Sequence, residues 1–263
     1  YMVARMIEEN MLEQIDFSNI PNFQYIMDEF KNLNYDPENL YSVPYTWGTV
    51  GLLYNTQTVT QKPDSWNALW DSSYAGKILM YNNSRDTLGI ALLKEGYSLN
   101  TTDEAELRAA NAELIRQKPY LQAYVSDEIF SKMEGASAAI CPVYSGDAIT
   151  MMEENPDLAY TVPKEGTNRF VDCACIMKDA PNKEAAEKYI NFLCRQDIAE
   201  LNRAFTAYST PQQQVYEALE DEIKNNVIAY PDAQTLANTE IFTNLPQKTL
   251  ELYNTLWDQL KNA

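Results

Sequence analysis

Short apolar runs alternate with segments of helical period along most of this chain, and that alternation does most to limit the folds open to it. Residues 76–81, 121–125, 138–142 and 158–162 read as strands. Between and after them, apolar residues recur at three- and four-residue spacing over 84–95, 103–116, 126–133, 182–193, 196–205, 212–223 and 246–261. Residues 2–14 and 19–34 show the same period and are expected to be helices, with Ser84 and Thr102 as the caps of the two helices that follow them. Strands and helices in alternation predict an α/β fold with mainly parallel sheets. A chain of 263 residues is one large domain or two ordinary ones. Residues 41–55, rich in aromatics and β-branched side chains, read as two extended segments meeting at Trp47-Gly48, a stretch able to pass from one domain to another.

One further strand, over 168–177, carries an internal carboxylate, Asp172, among apolar neighbours. Strand side chains alternate, so Phe170 and Asp172 share a face. A ring beside a carboxylate is a seat for an organic cation; the plain alternative is a strand-end carboxylate in water. Three strand ends invite comparison: Asn83 with Asp86, Tyr144, and Phe170 with Asp172. Ligands of open α/β sheets bind at the carboxyl ends of strands, and acids with aromatic rings suit a flexible amine. Core packing of the two rings, and ordinary first-turn placement of Asp86, remain the competing readings.

Composition removes several functions. The chain has no histidine, which takes away the commonest general base and most zinc sites. A formal net charge of −18 disfavours nucleic acid and anionic membrane surfaces as partners. Eight glycines and no Gly-rich loop argue against a bound nucleotide. Cys141, Cys173, Cys175 and Cys194 show no CxxC spacing and read as small buried hydrophobes. No metal or cofactor is expected.

An ordered set of motifs then carries a resemblance. Tyr41-Ser42-Val43-Pro44-Tyr45-Thr46-Trp47-Gly48-Thr49 comes first, followed by Ser65-Trp66 with Leu69-Trp70 and Gly76-Lys77. Pro163-Lys164-Glu165-Gly166, the run from Asn182 to Leu193, Ser209-Thr210-Pro211 and Tyr230-Pro231-Asp232 complete it. The whole chain resembles the spermidine/putrescine-binding proteins of polyamine ABC transporters. The resemblance implies a two-lobe periplasmic-binding-protein-like fold of type II, with a ligand cleft that closes around its cargo. It places residues 1–48 and 171–215 in lobe one and residues 49–170 and 216–263 in lobe two. Family members begin with strands and helices of lobe one that are absent before Tyr1, so the expectation is a complete second lobe and a truncated first one. A sheet edge left open in this way is expected to pair or swap with another chain.

Ligand residues are carried over one at a time by the same resemblance. Asp172 matches the family carboxylate that holds an amine, and Tyr208 and Tyr1 match cleft tyrosines. Phe170 and Tyr144 stand where tryptophan is common. Asp86 stands for a glutamate, Asn83 for an aspartate and Phe242 for a glutamine. The loss of a carboxylate at Asn83 tilts the expected cargo toward putrescine over spermidine. The implied partner is the transporter's permease, and the implied location is extracytoplasmic, with any signal segment outside this sequence. Two other readings stay open. One keeps the fold and binds ferric iron through phenolates, although no adjacent tyrosine pair is visible at a strand end. The other makes Asp86 and Asp172 the acid/base pair of a hydrolase; the expectation is that the chain is not an enzyme.

Overall fold

The computed structural model describes residues 1–263. The chain divides into two units, Tyr1–Gly48 with Phe170–Tyr230 and Thr49–Arg169 with Pro231–Ala263. Residues 216–230, expected in the second lobe, belong to unit 1. Aromatic packing explains the correction: the Tyr230 ring lies 6.0 Å from Trp47 and 5.1 Å from Tyr216, and the Ser209 hydroxyl donates to the Ala229 carbonyl.

The strands are β1 (Ser42–Asn55), β2 (Ile78–Tyr81), β3 (Leu121–Val125), β4 (Ile140–Tyr144), β5 (Leu158–Thr161), β6 (Thr167–Cys175) and β7 (Thr239–Glu240). They form a seven-stranded sheet in the order β3-β2-β4-β1-β6-β7, with β5 paired to β1. The sheet is mixed rather than mainly parallel. β2 runs parallel to β3 and β4, and β6 parallel to β7, while β1 is antiparallel to both β4 and β5. β1 is also one unbroken strand; no turn forms at Trp47-Gly48.

In unit 2 both faces of the sheet are covered, which is why its strands are apolar at consecutive positions rather than alternately. Val50, Leu52, Ile78, Met80 and Ile140 join one cluster with Leu88, Leu92, Leu107, Leu114, Tyr253, Leu256 and Leu260 from the helices Ser84–Lys94, Glu104–Gln117 and Gln247–Asn262. Leu53, Leu79, Cys141 and Val143 face the other way. They join Ile129, Met133, Ala148 and Met151 from the helices Glu128–Glu134 and Ser145–Glu154. Each such leucine taken from water contributes about 1.5–3 kcal/mol.

Unit 1 is held more by polar ties. The expected helix over 2–14 stops at Glu8, with Asn10 at φ 54°, and 19–34 forms short 3-10 turns at Pro21–Tyr25 and Asp28–Phe30. Pro21 opens the first of these turns. Asp36, 3% exposed, accepts from the backbone N–H groups of Leu40, Tyr41 and Ser42 and from the Ser42 hydroxyl. Glu187, 2% exposed, accepts from the Asp16 N–H and the Asn19 amide, tying the helix Lys183–Leu193 to the N-terminal segment. No helix is long and apolar enough to cross a membrane.

Candidate ligand-binding site

β2 and β4 are parallel, with Ile78 beside Ile140, so their carboxyl ends lie on the same edge of the unit 2 sheet. Tyr81 ends one strand and Tyr144 the other, and their rings stack at 5.0 Å with 28° between planes. Helices follow both strands at once. Asn83, not Ser84, caps the first: its side-chain oxygen accepts from the Asp86 N–H at 2.8 Å. Asp103, not Thr102, caps the helix Glu104–Gln117 in the same way. The cap leaves Asp86 in the first helical turn, where the macrodipole favours an anion.

The Asp86 carboxylate accepts from the Tyr144 hydroxyl at 2.8 Å. Burial pushes its pKa up, against the opposing effects of Tyr144, Asn83 and the neighbouring Arg85 guanidinium. Arg85 is itself buried, stacked over the rings of Phe242 at 4.4 Å and Tyr253 at 5.2 Å. Phe242 belongs to the hydrophobic core, 7% exposed, and also lines a cavity of about 10 Å³ with Asp86 and Asn168. The structure therefore brings Asn83, Asp86, Tyr144 and Phe242 together in unit 2. It adds Asn168, Tyr81 and Arg85, which the sequence reading passed over.

Unit 1 gathers the others on β6 and the segment facing it. The Phe170 and Tyr208 rings meet edge to face at 5.9 Å and 72°. Asp172 accepts from the Thr46 hydroxyl at 3.3 Å. It is an exposed residue of its strand, yet surrounding protein crowds its carboxyl enough that burial raises its pKa, with Thr46 opposing. Tyr208 and Thr46 also border a cavity of about 20 Å³. Tyr1 precedes the first helix and is 36% exposed.

The tyrosine pair missing from the sequence reading exists: the parallel register of β2 and β4 builds it from residues far apart in the chain. Its chemistry does not suit iron. Burial drives the Tyr81 phenol well above its ordinary pKa, and Tyr144 spends its proton on Asp86, whereas ligation needs phenolate. All four cysteines are free, with Cys141 and Cys194 buried and Cys173 and Cys175 half-buried. Burial pushes the Cys173 thiol up to about 12, so it is no nucleophile.

Residues 1–239 match the family model of the bacterial extracellular solute-binding proteins. The chain belongs to that family. The spermidine/putrescine-binding periplasmic protein of Salmonella typhimurium is 36% identical over 241 residues, covering 91% of this chain and 69% of the relative. Its Escherichia coli counterpart is 34% identical over 262 residues, covering 99% and 75%. Among solved structures, the spermidine/putrescine ABC transporter substrate-binding protein of Streptococcus pneumoniae superposes with a TM-score of 0.88 at 35% identity. That match covers 100% of this chain and 81% of the other. The fold of this solute-binding protein is thus the α/β periplasmic-binding-protein-like fold of these neighbours.

Proposed function

We propose that this solute-binding protein captures a polyamine outside the cytoplasm and hands it to the permease of an ABC transporter. The observation that carries the reading is that each unit holds a carboxylate near aromatic rings, Asp86 by Tyr144 and Tyr81, and Asp172 by Phe170 and Tyr208, and that burial raises both pKa values. A carboxylate crowded in this way gains most from an ammonium partner, and ring faces cover methylenes and attract the charge. Each unit therefore offers one such seat for an ammonium group. The names of the relatives at 34–36% identity agree with this ligand class.

Putrescine is the favoured cargo over spermidine. Asn83 is neutral and its amide oxygen already accepts the Asp86 N–H, so it offers no carboxylate to a third cationic nitrogen. Titration calorimetry with putrescine and spermidine tests the reading. Saturable heat is expected, tighter for putrescine, and no heat with either amine sinks it. Proton transfer chemistry is not part of the proposal, because the rings around both acids favour binding a cation.

Pairing of unit 1 with a second chain is proposed on separate grounds. The helix Gln196–Thr206 buries none of its residues, and Leu201 and Phe205 are 65% and 91% exposed. Sedimentation velocity checks it, and a monomer at high concentration rules it out.

A further inference from the structure

One side chain brackets Phe242. Asn100 lies between the helices Ser84–Lys94 and Glu104–Gln117. Its amide oxygen accepts the Thr243 N–H at 2.8 Å, and its amide nitrogen donates to the Ile241 carbonyl at 2.9 Å. A single amide thus pairs with the residues on both sides of Phe242, the way a residue of a neighbouring strand holds an extended segment. The loop that carries Asn100 is tied to β7, just before that segment. Glu240 accepts from the Ser98 hydroxyl and from the Leu99 N–H. Leu99 is buried in the core of unit 2, so the loop is anchored from two directions.

The ring held in this way has space made for it. Arg85 stacks on it at 4.4 Å and also reaches the Asn100 amide oxygen at 3.4 Å. Gly89, one turn further along the same helix, meets the edge of the ring: a Cβ there would stand 3.1 Å from Phe242 Cζ. A glycine inside a helix weakens it relative to alanine, and the approach of Phe242 is what the missing side chain permits. Phe242 then forms part of the wall of the cavity that Asp86 also borders, while Asn100 stays outside that lining.

We propose that Asn100 is a positioning residue of the amine site, acting on the bound ligand through Phe242. The proposal rests on the polyamine reading and gives a share of the affinity to a residue that does not border the cavity. The ring keeps one depth beside Asp86 only while the backbone on both sides of it is held. Leucine at position 100 offers neither donor nor acceptor. Ile241 and Thr243 then turn to water for their hydrogen bonds, and the ring loses its fixed place.

Calorimetry with putrescine on the wild-type chain, Asn100→Leu, Phe242→Leu and the double variant tests this, with thermal melts to confirm folding. Asn100→Leu is expected to weaken putrescine about fivefold or more in the wild-type background and less than about twofold in the Phe242→Leu background, the non-additivity of two residues that act together. A residue that only stabilises the fold would lower the melting temperature and leave the affinity of the folded protein as it was. Unchanged affinity in a folded Asn100→Leu therefore overturns the proposal. So does an equal loss in the two backgrounds. If a variant does not fold, hydrogen exchange in the wild-type chain decides. Coupling is reciprocal, so saturating putrescine is expected to slow exchange of the Thr243 amide severalfold, and an unchanged rate overturns the proposal. A wild-type chain that binds no amine overturns the polyamine reading itself, and the role of Asn100 falls with it.

Discussion

The Tyr144 hydroxyl donates to the Asp86 carboxylate across 2.8 Å, joining the end of β4 to the first turn of the helix that follows β2. That bond opposes the burial that raises the Asp86 pKa. Tyr144→Phe keeps the ring that stacks on Tyr81 and removes only the donor. The folded state is expected to lose about 0.5–1.5 kcal/mol, and the Asp86 pKa is expected to climb further. The pH at which amine affinity is half lost should therefore move upward relative to wild type. Calorimetric titrations across a pH series read the midpoint, and an unmoved or lowered midpoint contradicts the coupling.

Asp172→Asn and Asp86→Asn are near-isosteric and each removes one charge. Each is expected to weaken a diamine by about 1.5–3 kcal/mol, the range for a hydrogen bond to a charged group. Thr46→Val should do less, because the Thr46 bond to Asp172 is long at 3.3 Å and serves the carboxylate rather than the ligand. Putrescine titrations of the three variants rank them. A Thr46→Val loss equal to that of Asp172→Asn would mean that Asp172 acts through Thr46 and not directly.

The two carboxylates also set opposite responses of binding and stability to pH. Burial is the main cause of both raised values. A group whose folded pKa is raised favours the folded state fully below its ordinary value, 3.8 for both acids, and that contribution is lost as pH rises through the raised value. Over the same window, above the ordinary carboxylate value, amine affinity is expected to fall as pH drops, because the protonated acids no longer pair with ammonium. Binding within that window should release protons. Calorimetry in two buffers of different ionisation enthalpy detects the release, and identical heats there would show that neither acid meets the cation.

Much of this was legible in the sequence, and the failures have physical causes. The longer strands of unit 2 are legible to within about two residues at each end, because both sheet faces are buried and their apolar runs stand out, as in Leu52-Leu53 of β1; the two-residue β7 has no such run and is not legible. The direction of pairing was not legible: nothing in 41–55 announces that β1 runs antiparallel to β4 and β5. The caps were displaced by one residue because Asn83 and Ser84, or Thr102 and Asp103, are both good caps and only geometry chooses between them. In unit 1 the helical period of 2–14 and 19–34 was real but overridden by a left-handed residue at Asn10 and by Pro21. Asn168 was missed although the signal was present: it has the same strand parity as Phe170 and Asp172. The Tyr81–Tyr144 stack was hidden because it depends on strand register.

Gly51 shows a close approach that only its lack of a side chain permits. A Cβ at this position would collide with the Tyr160 ring carbon Cζ and stand 2.6 Å from the Thr161 carbonyl oxygen. The second obstacle is backbone of the paired strand β5, so it cannot swing aside. Gly51→Ala is expected to destabilise unit 2 by about 1–3 kcal/mol through overpacking, read as a lower melting temperature. Gly76→Ala makes the contrast: nothing lies within 4 Å of its Cβ, but φ is 76°. Its cost is then backbone strain alone. A Gly51→Ala melting temperature equal to wild type would mean that β5 shifts freely.

Glu187 tests the opposite sign of carboxylate linkage in unit 1. Burial raises its pKa, but the Asp16 N–H, the Asn19 amide and Lys183 together outweigh burial and leave it lowered. A lowered carboxyl contributes stability above its ordinary value that is lost as pH falls through the folded value. Glu187→Gln keeps the size and one acceptor, but it turns the other oxygen into a donor that faces either the Asp16 N–H, now 2.8 Å from Oε1, or the Asn19 amide, now 2.7 Å from Oε2. Two donors then meet in a buried place, which costs about 1–3 kcal/mol for the group left unmade. The loss is expected to be full near neutral pH and to shrink as the solution is acidified, because acid removes from wild type the ionised form that the variant lacks. Urea unfolding of both proteins at a series of pH values measures the difference. A difference that stays constant down to strongly acidic pH would show that the Glu187 charge contributes nothing and that only its shape matters.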